Sequence, residues 1–441
     1  MKFKKICIMG LGYIGLPTAA MFAVNGVQVV GVDVNPKIIE TLQRGELHIQ
    51  EPGLRIAVKA AVKSGNLRVS LQPEEADAFI VAVPTPFYED KYGEYNGRKY
   101  KLADMRAVTA ATEAIVPHLR AGNLVVLEST SPPRTTLDLV APILEKSGLK
   151  AGQDFYLAYS PERVLPGQIL RELIENARVI GGVTPASAEA GRDLYAVFVK
   201  GEIVTTDATT AEMVKLMENT YRDVNIAIAN EFARLAERFG VNVWEAIAIA
   251  NLHPRVKILR PGPGVGGHCI SVDPWFFVES APDLASLIYQ SRQVNDSQPH
   301  FALELVRRAA AGNLRGRRVA ALGLSFKEDV DDLRESPAVE LAGLMQREGA
   351  QVKAFEPHKP DAHFEQFETV PTLEEACNDA ELLVLLVGHT MFKQLDPRQV
   401  AAQTPARIIV DMRGVLDRKA WQAEGFVVFT LGVGSAPQKV E

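Results

Sequence analysis

The residues most able to do chemistry lie in Pro261-Gly262-Pro263-Gly264-Val265-Gly266-Gly267-His268-Cys269-Ile270-Ser271-Val272-Asp273-Pro274. Four glycines within six residues leave room for a ligand's phosphate or carbon skeleton to come close to the backbone. A cysteine ending such a loop can face a bound ligand. Its thiolate is a strong nucleophile towards an aldehyde, and the thiohemiacetal formed can lose a hydride to become a thioester. Read by itself, Cys269 has a less favoured alternative as a small buried residue. His268 beside it suggests a Cys–His dyad, but adjacent side chains usually point apart, so a binding or structural role is preferred. Cys7 lies in an apolar strand pattern and Cys377 in an acidic helical stretch. Three distant cysteines without CxxC spacing indicate neither a disulfide framework nor a zinc site, and a reducing cytoplasm suits them.

A second chemical signature opens the chain. Gly10-Leu11-Gly12-Tyr13-Ile14-Gly15 follows an apolar strand pattern and leads into a helix. In such a GxGxxG turn the first glycine permits the tight turn and the second lets the backbone approach a pyrophosphate. The third brings helix and strand close together, and the helix N-terminus supplies unpaired N–H groups. Asp33 ends a second strand 18 residues after Gly15. Its carboxylate is placed to accept hydrogen bonds from an adenine ribose diol and would repel a 2′-phosphate, which favours NAD over NADP. The structural alternative is that Asp33 merely caps the helix beginning at Asn35-Pro36.

These motifs need a frame. Short β-branched runs at Lys5–Met9, Val27–Asp33, Ala78–Val83, Leu124–Glu128, Phe155–Ala158 and Arg178–Gly181 alternate with helical patterns such as Ile14–Asn25 and Asp104–Leu119. That alternation predicts a parallel sheet with helices on both faces. From Thr209 to Phe239 runs a helical pattern without Pro or Gly, on the order of 45 Å if straight. Ile226, Ile228, Phe232 and Leu235 spread its apolar surface over more than one face, as at a subunit interface. A third pattern, with strands at Arg317–Leu324, Gln351–Phe355, Leu382–Val387, Arg407–Asp411 and Phe426–Thr430, predicts a second, smaller doubly wound domain. The fold class is therefore α/β: two doubly wound Rossmann-like domains joined by a long central helix. The expected boundaries are 1–205 for the NAD-binding domain, 206–310 for a central helical domain with the cysteine loop, and 311–441 for the second Rossmann-like domain.

The 441 residues carry 23% charged residues and a net charge of −6, which gives no electrostatic reason to expect nucleic acid. No apolar run reaches the roughly 18 residues of a membrane span. The start, Met1-Lys-Phe-Lys-Lys5, has the basic character of a signal peptide, but the apolar stretch after it reads better as a strand entering the glycine turn.

Several segments together resemble the UDP-glucose/GDP-mannose dehydrogenase family over essentially the full chain. They are Gly10–Ala20, Val83-Pro-Thr-Pro-Phe87, Leu127–Pro132, Ser160-Pro-Glu-Arg-Val-Leu-Pro-Gly167, His253-Pro-Arg255, the cysteine loop through Phe276, Phe326-Lys327 and Asp332–Pro337. The resemblance implies a four-electron oxidation of the C6 alcohol of a UDP-linked sugar to a carboxylate, with two NAD⁺ consumed. Its likeness at His253–Arg255 and Val272–Phe276 points to UDP-N-acetyl-D-mannosamine, with UDP-N-acetylglucosamine or UDP-glucose as alternatives. By the same resemblance Cys269 is the nucleophile, and Lys215 handles the proton or oxyanion charge. Asn219, four residues on, shares its helix face. Asp273 orients the lysine or activates water, Thr130 holds a water or the nicotinamide ribose, and Glu162 assists thioester hydrolysis. Tyr13, Ile14 and Thr85 join the glycines at the cofactor, and Arg334 meets its pyrophosphate.

The substrate contacts that the resemblance implies are Arg163, Val164, Lys215, Asn219, Arg222, His253, Arg255, Gly266, Phe326, Lys327 and Arg413. Arg255 is expected to reach the neighbouring subunit of a homodimer. No metal is expected, and the product would feed surface polysaccharide synthesis. Bland alternatives stand beside these roles: a solvated helix face for Lys215 and Arg222, an ion pair for Glu162, and a surface pair with Asp332 or Glu335 for Arg334. A two-electron hydroxy-acid dehydrogenase or a silent NAD-binding regulator would need no nucleophilic cysteine.

Overall fold

The computed structural model describes residues 3–165, 167–267 and 269–434. The expectation for His268 lies outside them. The chain forms two compact units: Met1–Glu218 with Trp275–Ala285, and Asn219–Pro274 with Ser286–Glu441.

The first unit is built on an eight-stranded sheet. Its strands are β1 Lys5–Met9, β2 Gln28–Val32, β3 Leu67–Ser70, β4 Ala78–Val81, β7 Leu124–Leu127, β8 Tyr156–Tyr159, β9 Arg178–Gly182 and β10 Ile203–Asp207. They lie side by side in the order β10-β9-β8-β7-β4-β1-β2-β3. The central strands are short, Val/Ile/Leu-rich runs buried along their whole length, as helices on both faces require. Ile8, Leu16, Phe22 and Ile80 belong to the core on one side of the sheet, and Val81, Val125, Ile115 and Leu144 to the core on the other. Strand order reverses at β1, which lies between β2 and β4, and so opens a ligand crevice at their C-terminal ends.

Two features depart from the sequence reading. The sheet is not wholly parallel, because β9 runs antiparallel to β8, pairing Ala158 with Gly182 and Tyr159 with Gly181. The segment between them holds one seven-residue helix, Ile169–Glu175, and re-enters the sheet from the end at which β8 leaves it. In addition, β5 Phe87–Tyr95 and β6 Arg98–Ala103 form an antiparallel hairpin turning at Asn96-Gly97, both with positive φ. Phe87 secures its base by edge-to-face contact with Phe276, and Glu279 accepts the Ala103 N–H at 2.9 Å.

The second unit carries six parallel strands. They are β11 Arg318–Leu322, β12 Gln351–Phe355, β13 Glu368–Thr369, β14 Leu382–Leu385, β15 Ile408–Asp411 and β16 Val427–Thr430. Their order, β13-β12-β11-β14-β15-β16, is again doubly wound with a reversal at the first strand. The chain passes from one unit to the other inside the helix Ala208–Phe239, between Glu218 and Asn219. This 32-residue helix spans about 48 Å. Met217, Tyr221, Ile228, Phe232, Leu235 and Phe239 line one side of it and are all exposed.

Candidate active site

In the first unit the glycine turn is imposed by close packing. Gly10 has φ +94°, and a Cβ there would lie 2.5 Å from the Ala82 carbonyl oxygen. A Cβ on Gly15 would strike the carbonyl of Gly10. Gly12 has nothing within 4 Å of where its Cβ would be, so no internal contact demands a glycine there. Its open backbone is what an approaching pyrophosphate needs. Asp33 accepts the Leu11 N–H at 3.0 Å and the Asn35 N–H at 2.9 Å, tying the glycine turn to the end of β2. The next helix, Pro36–Gln43, is capped by Asn35, whose side chain accepts the Lys37 N–H. The capping alternative for Asp33 is thereby removed. Tyr13 and Ile14 are half-buried at the start of the first helix, and the Thr85 hydroxyl donates to the Thr130 carbonyl at 2.6 Å.

Beneath this region lies a buried charge cluster absent from the sequence reading. Glu128 at the end of β7, Ser160 after β8, Arg178 at the start of β9 and Tyr195 on the helix Pro185–Tyr195 converge. The Arg178 guanidinium donates to the Ser160 hydroxyl at 2.8 Å, to Glu128 at 3.3 Å and to Glu162, and it lies over the Tyr195 ring at 4.1 Å. The Tyr195 hydroxyl donates to Glu128 at 2.5 Å. Burial pushes the Glu128 carboxyl up to about 7; Arg178 pulls it down, while Glu162 raises it further. Glu162 is thus in an ion pair, but with distant Arg178 rather than its neighbour. Arg163 pairs with Glu218 at 2.7 Å, and Val164 packs on the core. No local sequence signal announces this cluster, because its members lie on four separate elements.

Lys215 and Asn219 are buried at 8% and 7% exposure, so the solvated-face alternative fails for Lys215, whereas Arg222 is exposed. In the second unit the Asn219 side-chain amide donates to the Asp273 carboxylate at 2.5 Å. The Cys269 carbonyl accepts the N–H groups of Val272 at 3.1 Å and Asp273 at 2.8 Å, which sets the cysteine one turn before Asp273. Cys269 is exposed, unlike Cys7 and Cys377, whose thiols burial pushes up to about 11 and about 12. The buried-residue alternative for Cys269 is removed, and inert packing suits the other two.

The glycines of the cysteine loop are packed against what surrounds it. A Cβ on Gly262 would enter the Arg413 guanidinium, one on Gly266 would strike the Glu335 carbonyl, and one on Gly267 would lie 2.8 Å from the Phe326 ring. Phe326, Gly266 and Arg413 are therefore drawn together, while Lys327, His253 and Arg255 are exposed. Arg334 forms the surface pair with Asp332, at 2.6 Å.

One potential ligand atom each from His389, Asp329 and His358 lie within 4.8 Å of one another. Both nitrogens of His389 are already engaged, however. Nδ1 accepts the Asp329 N–H at 2.9 Å and Nε2 meets buried Glu356 at 3.1 Å. The histidine links loops of the second sheet and leaves no lone pair for a cation.

A twin doubly wound architecture, with a dinucleotide turn in one unit and an exposed cysteine in a glycine loop of the other, defines a nucleotide-dependent oxidoreductase. The sequence pattern of the UDP-glucose/GDP-mannose dehydrogenase family matches as the NAD-binding domain over residues 4–199, the central domain over 209–297 and the UDP-binding domain over 320–418. The chain belongs to that family. It is 47% identical over 434 residues to the UDP-N-acetyl-D-mannosamine dehydrogenase of Methanocaldococcus jannaschii, covering 98% of this chain and 97% of that one. It is also 47% identical, over 427 residues, to the NDP-N-acetyl-D-galactosaminuronic acid dehydrogenase of Ralstonia solanacearum, covering 95% and 97%. Its structure matches the UDP-D-ManNAc dehydrogenase of Pyrococcus horikoshii with a TM-score of 0.88, 39% identity and 98% and 99% coverage. No helix among the described residues is long and apolar enough to cross a membrane.

Proposed function

We propose that this NAD-dependent dehydrogenase oxidises the C6 hydroxyl of UDP-N-acetyl-D-mannosamine to the uronate through a thioester on Cys269. The glycine turn and Asp33 would hold NAD⁺, which when bound would supply the hydride acceptor for the two oxidations. The chain's own residues do the rest. Lys215 accepts the alcohol proton or stabilises the charge on O6 as the aldehyde forms. The Cys269 sulfur then bonds to C6 while its proton passes to the carbonyl oxygen, giving the thiohemiacetal. Loss of a second hydride and the hydroxyl proton leaves the thioester. Water adds to that carbonyl and the C–S bond breaks, which returns the thiol and releases the carboxylate. Asp273, oriented by Asn219, and Glu162, held by Arg178, are the carboxylates assigned to the water and its protons.

The observation that carries this reading is the exposed thiol of Cys269 one turn before Asp273, whose carboxylate is bound by the Asn219 amide. Thr130 and Thr85 are assigned with Gly10, Gly12, Tyr13, Ile14, Gly15 and Asp33 to the cofactor, and Arg334 to its pyrophosphate. Arg163, Val164, Arg222, His253, Arg255, Gly266, Phe326, Lys327 and Arg413 are assigned to the UDP-sugar. The exposed apolar side of the long helix supports a homodimer, with exposed Arg255 free to reach the neighbouring subunit. Three cysteines that form no disulfide suit a cytoplasmic enzyme that supplies uronates to surface polysaccharide.

The test is NADH formed per mole of sugar nucleotide, with the N-acetylmannosamine, N-acetylglucosamine and glucose forms assayed in parallel. Two NADH with the manno sugar preferred is the expected result. Preference for another sugar overturns the substrate, and one NADH throughout overturns the thioester.

A further inference from the structure

Beyond Asn219, the long helix carries polar residues that the chemistry above does not use. Asp223, Asn230 and Arg234 follow Asn219 along it, and all but Arg234 are buried. At about 100° per residue, the step from Asn219 to Asn230 returns to the same side of the helix within about 20° and climbs about 16 Å. These two asparagines hold opposite ends of the cysteine loop. Asn219 binds Asp273 at the exit. At the entrance, Asn230 Oδ1 accepts the Gly262 N–H at 3.0 Å, and Gln298 Nε2 donates to the Gly262 carbonyl at 3.1 Å. Pro261 and Pro263 have no N–H, so Gly262 offers the one backbone donor of that tripeptide, and buried side chains take both its polar groups.

The clamp is itself oriented. Asn230 Nδ2 donates to Asn295 at 2.9 Å, Asn295 donates to the Asp223 carboxylate at 2.8 Å, and fully buried Arg292 donates to that carboxylate at 2.5 Å. Arg234 donates to Gln298 Oε1 at 2.9 Å, which leaves the Gln298 amide nitrogen facing Gly262. The amide orientations follow from this network.

The loop needs such a clamp because it has slack. The eleven steps from Gly262 to Asp273 can reach about 37 Å when extended, roughly twice the rise between the two asparagines. With four glycines in that length, a free end would let the sulfur wander over many conformations.

We propose that Asn230 and Gln298 are positioning residues for capture of the aldehyde by Cys269. They pin the loop entrance while Asn219 pins its exit, and so deliver the sulfur within bonding reach of C6. This rests on the thioester reading above. A misplacement of about 1 Å can cost about 100-fold in such a step.

Gln298→Glu tests it in the full-length enzyme. The variant keeps an acceptor for Arg234 but sets a carboxylate against the Gly262 carbonyl in place of a donor. The expected result is unchanged NAD affinity, an early NADH-to-sugar ratio falling from two towards one, and aldehyde trapped by hydrazine. The second oxidation should slow by about 10- to 100-fold. Asn230→Asp, which keeps the acceptor for Gly262 but loses the donor to Asn295, should trap less aldehyde than Asn230→Leu. It also serves should Gln298→Glu fail to fold, in which case absence of trapped aldehyde in both Asn230 variants overturns the proposal. A wild-type ratio in folded Gln298→Glu beside an inactive Cys269→Ser overturns the clamp alone. Wild-type uronate formation by Cys269→Ser overturns the thioester reading, and the clamp with it.

Discussion

Replacing Glu128 with glutamine should stabilise the first unit above neutral pH while changing little in acid. Glu128 has no exposed side-chain surface, and its Oε2 has no hydrogen-bond partner among the described residues. Its Oε1 shares one guanidinium, Arg178, with Glu162. Burial therefore dominates, and the carboxyl is pushed up to about 7 from an ordinary 4.5. A raised folded-state value means that the native state binds the proton more tightly than the unfolded chain does. The associated stability is fully present below about 4.5, is lost as pH rises through about 7, and is absent above that. A difference of this size corresponds to about 3 kcal/mol between the two limits. Glutamine mimics the protonated acid: its oxygen still accepts from Tyr195 and Arg178, but it cannot ionise. Burial, with Glu128 beside it, holds the Tyr195 phenol well above its usual value, so that hydrogen bond persists in both proteins. For a unit of this size, about 3 kcal/mol translates to roughly 6–12 °C in the transition. The assay is calorimetric melting of wild type and Glu128→Gln from pH 4.5 to 9. Titrations of groups away from the Glu128–Arg178–Glu162 cluster cancel in the difference between their transition temperatures. A difference that rises by several degrees between pH 5 and 8 is the expected result, and a flat difference would refute the account of Glu128 as a buried acid short of partners.

The geometry leads to two further outcomes. Asp33→Ala should weaken NAD binding by about 10- to 100-fold, the worth of one charge-assisted hydrogen bond, with little effect on the chemical step at saturating cofactor. Titration calorimetry checks it, and unchanged affinity removes the ribose contact. Ile228→Asp combined with Phe232→Asp, on the exposed side of the long helix, should convert a dimer to a monomer in sedimentation velocity. A wild-type protein that is already monomeric at micromolar concentration, or a doubly substituted protein that stays dimeric, rejects that surface as the interface.

Much of this protein was legible in local sequence because the demands are local. The close approach of Gly15 to Gly10, the Asp33 bond to the Asn35 N–H and the period of the long helix involve residues near one another along the chain. The strand cores were found for the same reason, apart from boundary shifts of a few residues. The β5–β6 hairpin was missed although its Asn96-Gly97 turn was visible, because its strands are exposed and polar and lack an apolar alternation. Burial separated Cys269 from Cys7 and Cys377, and Lys215 from Arg222, a distinction that residue type cannot make. The antiparallel turn of β9 depended on where a loop re-enters the sheet. The ion pair weighed as the alternative for Glu162 formed with Arg178, 16 residues on, and not with adjacent Arg163. The clamp on Gly262 joins a helix residue 32 positions before it to one 36 positions after it. Composition and spacing determined which chemistry the chain can attempt. Which charges share a cation, and which side chains hold the cysteine loop, was decided only when folding removed those groups from water and made each unmatched donor or acceptor costly.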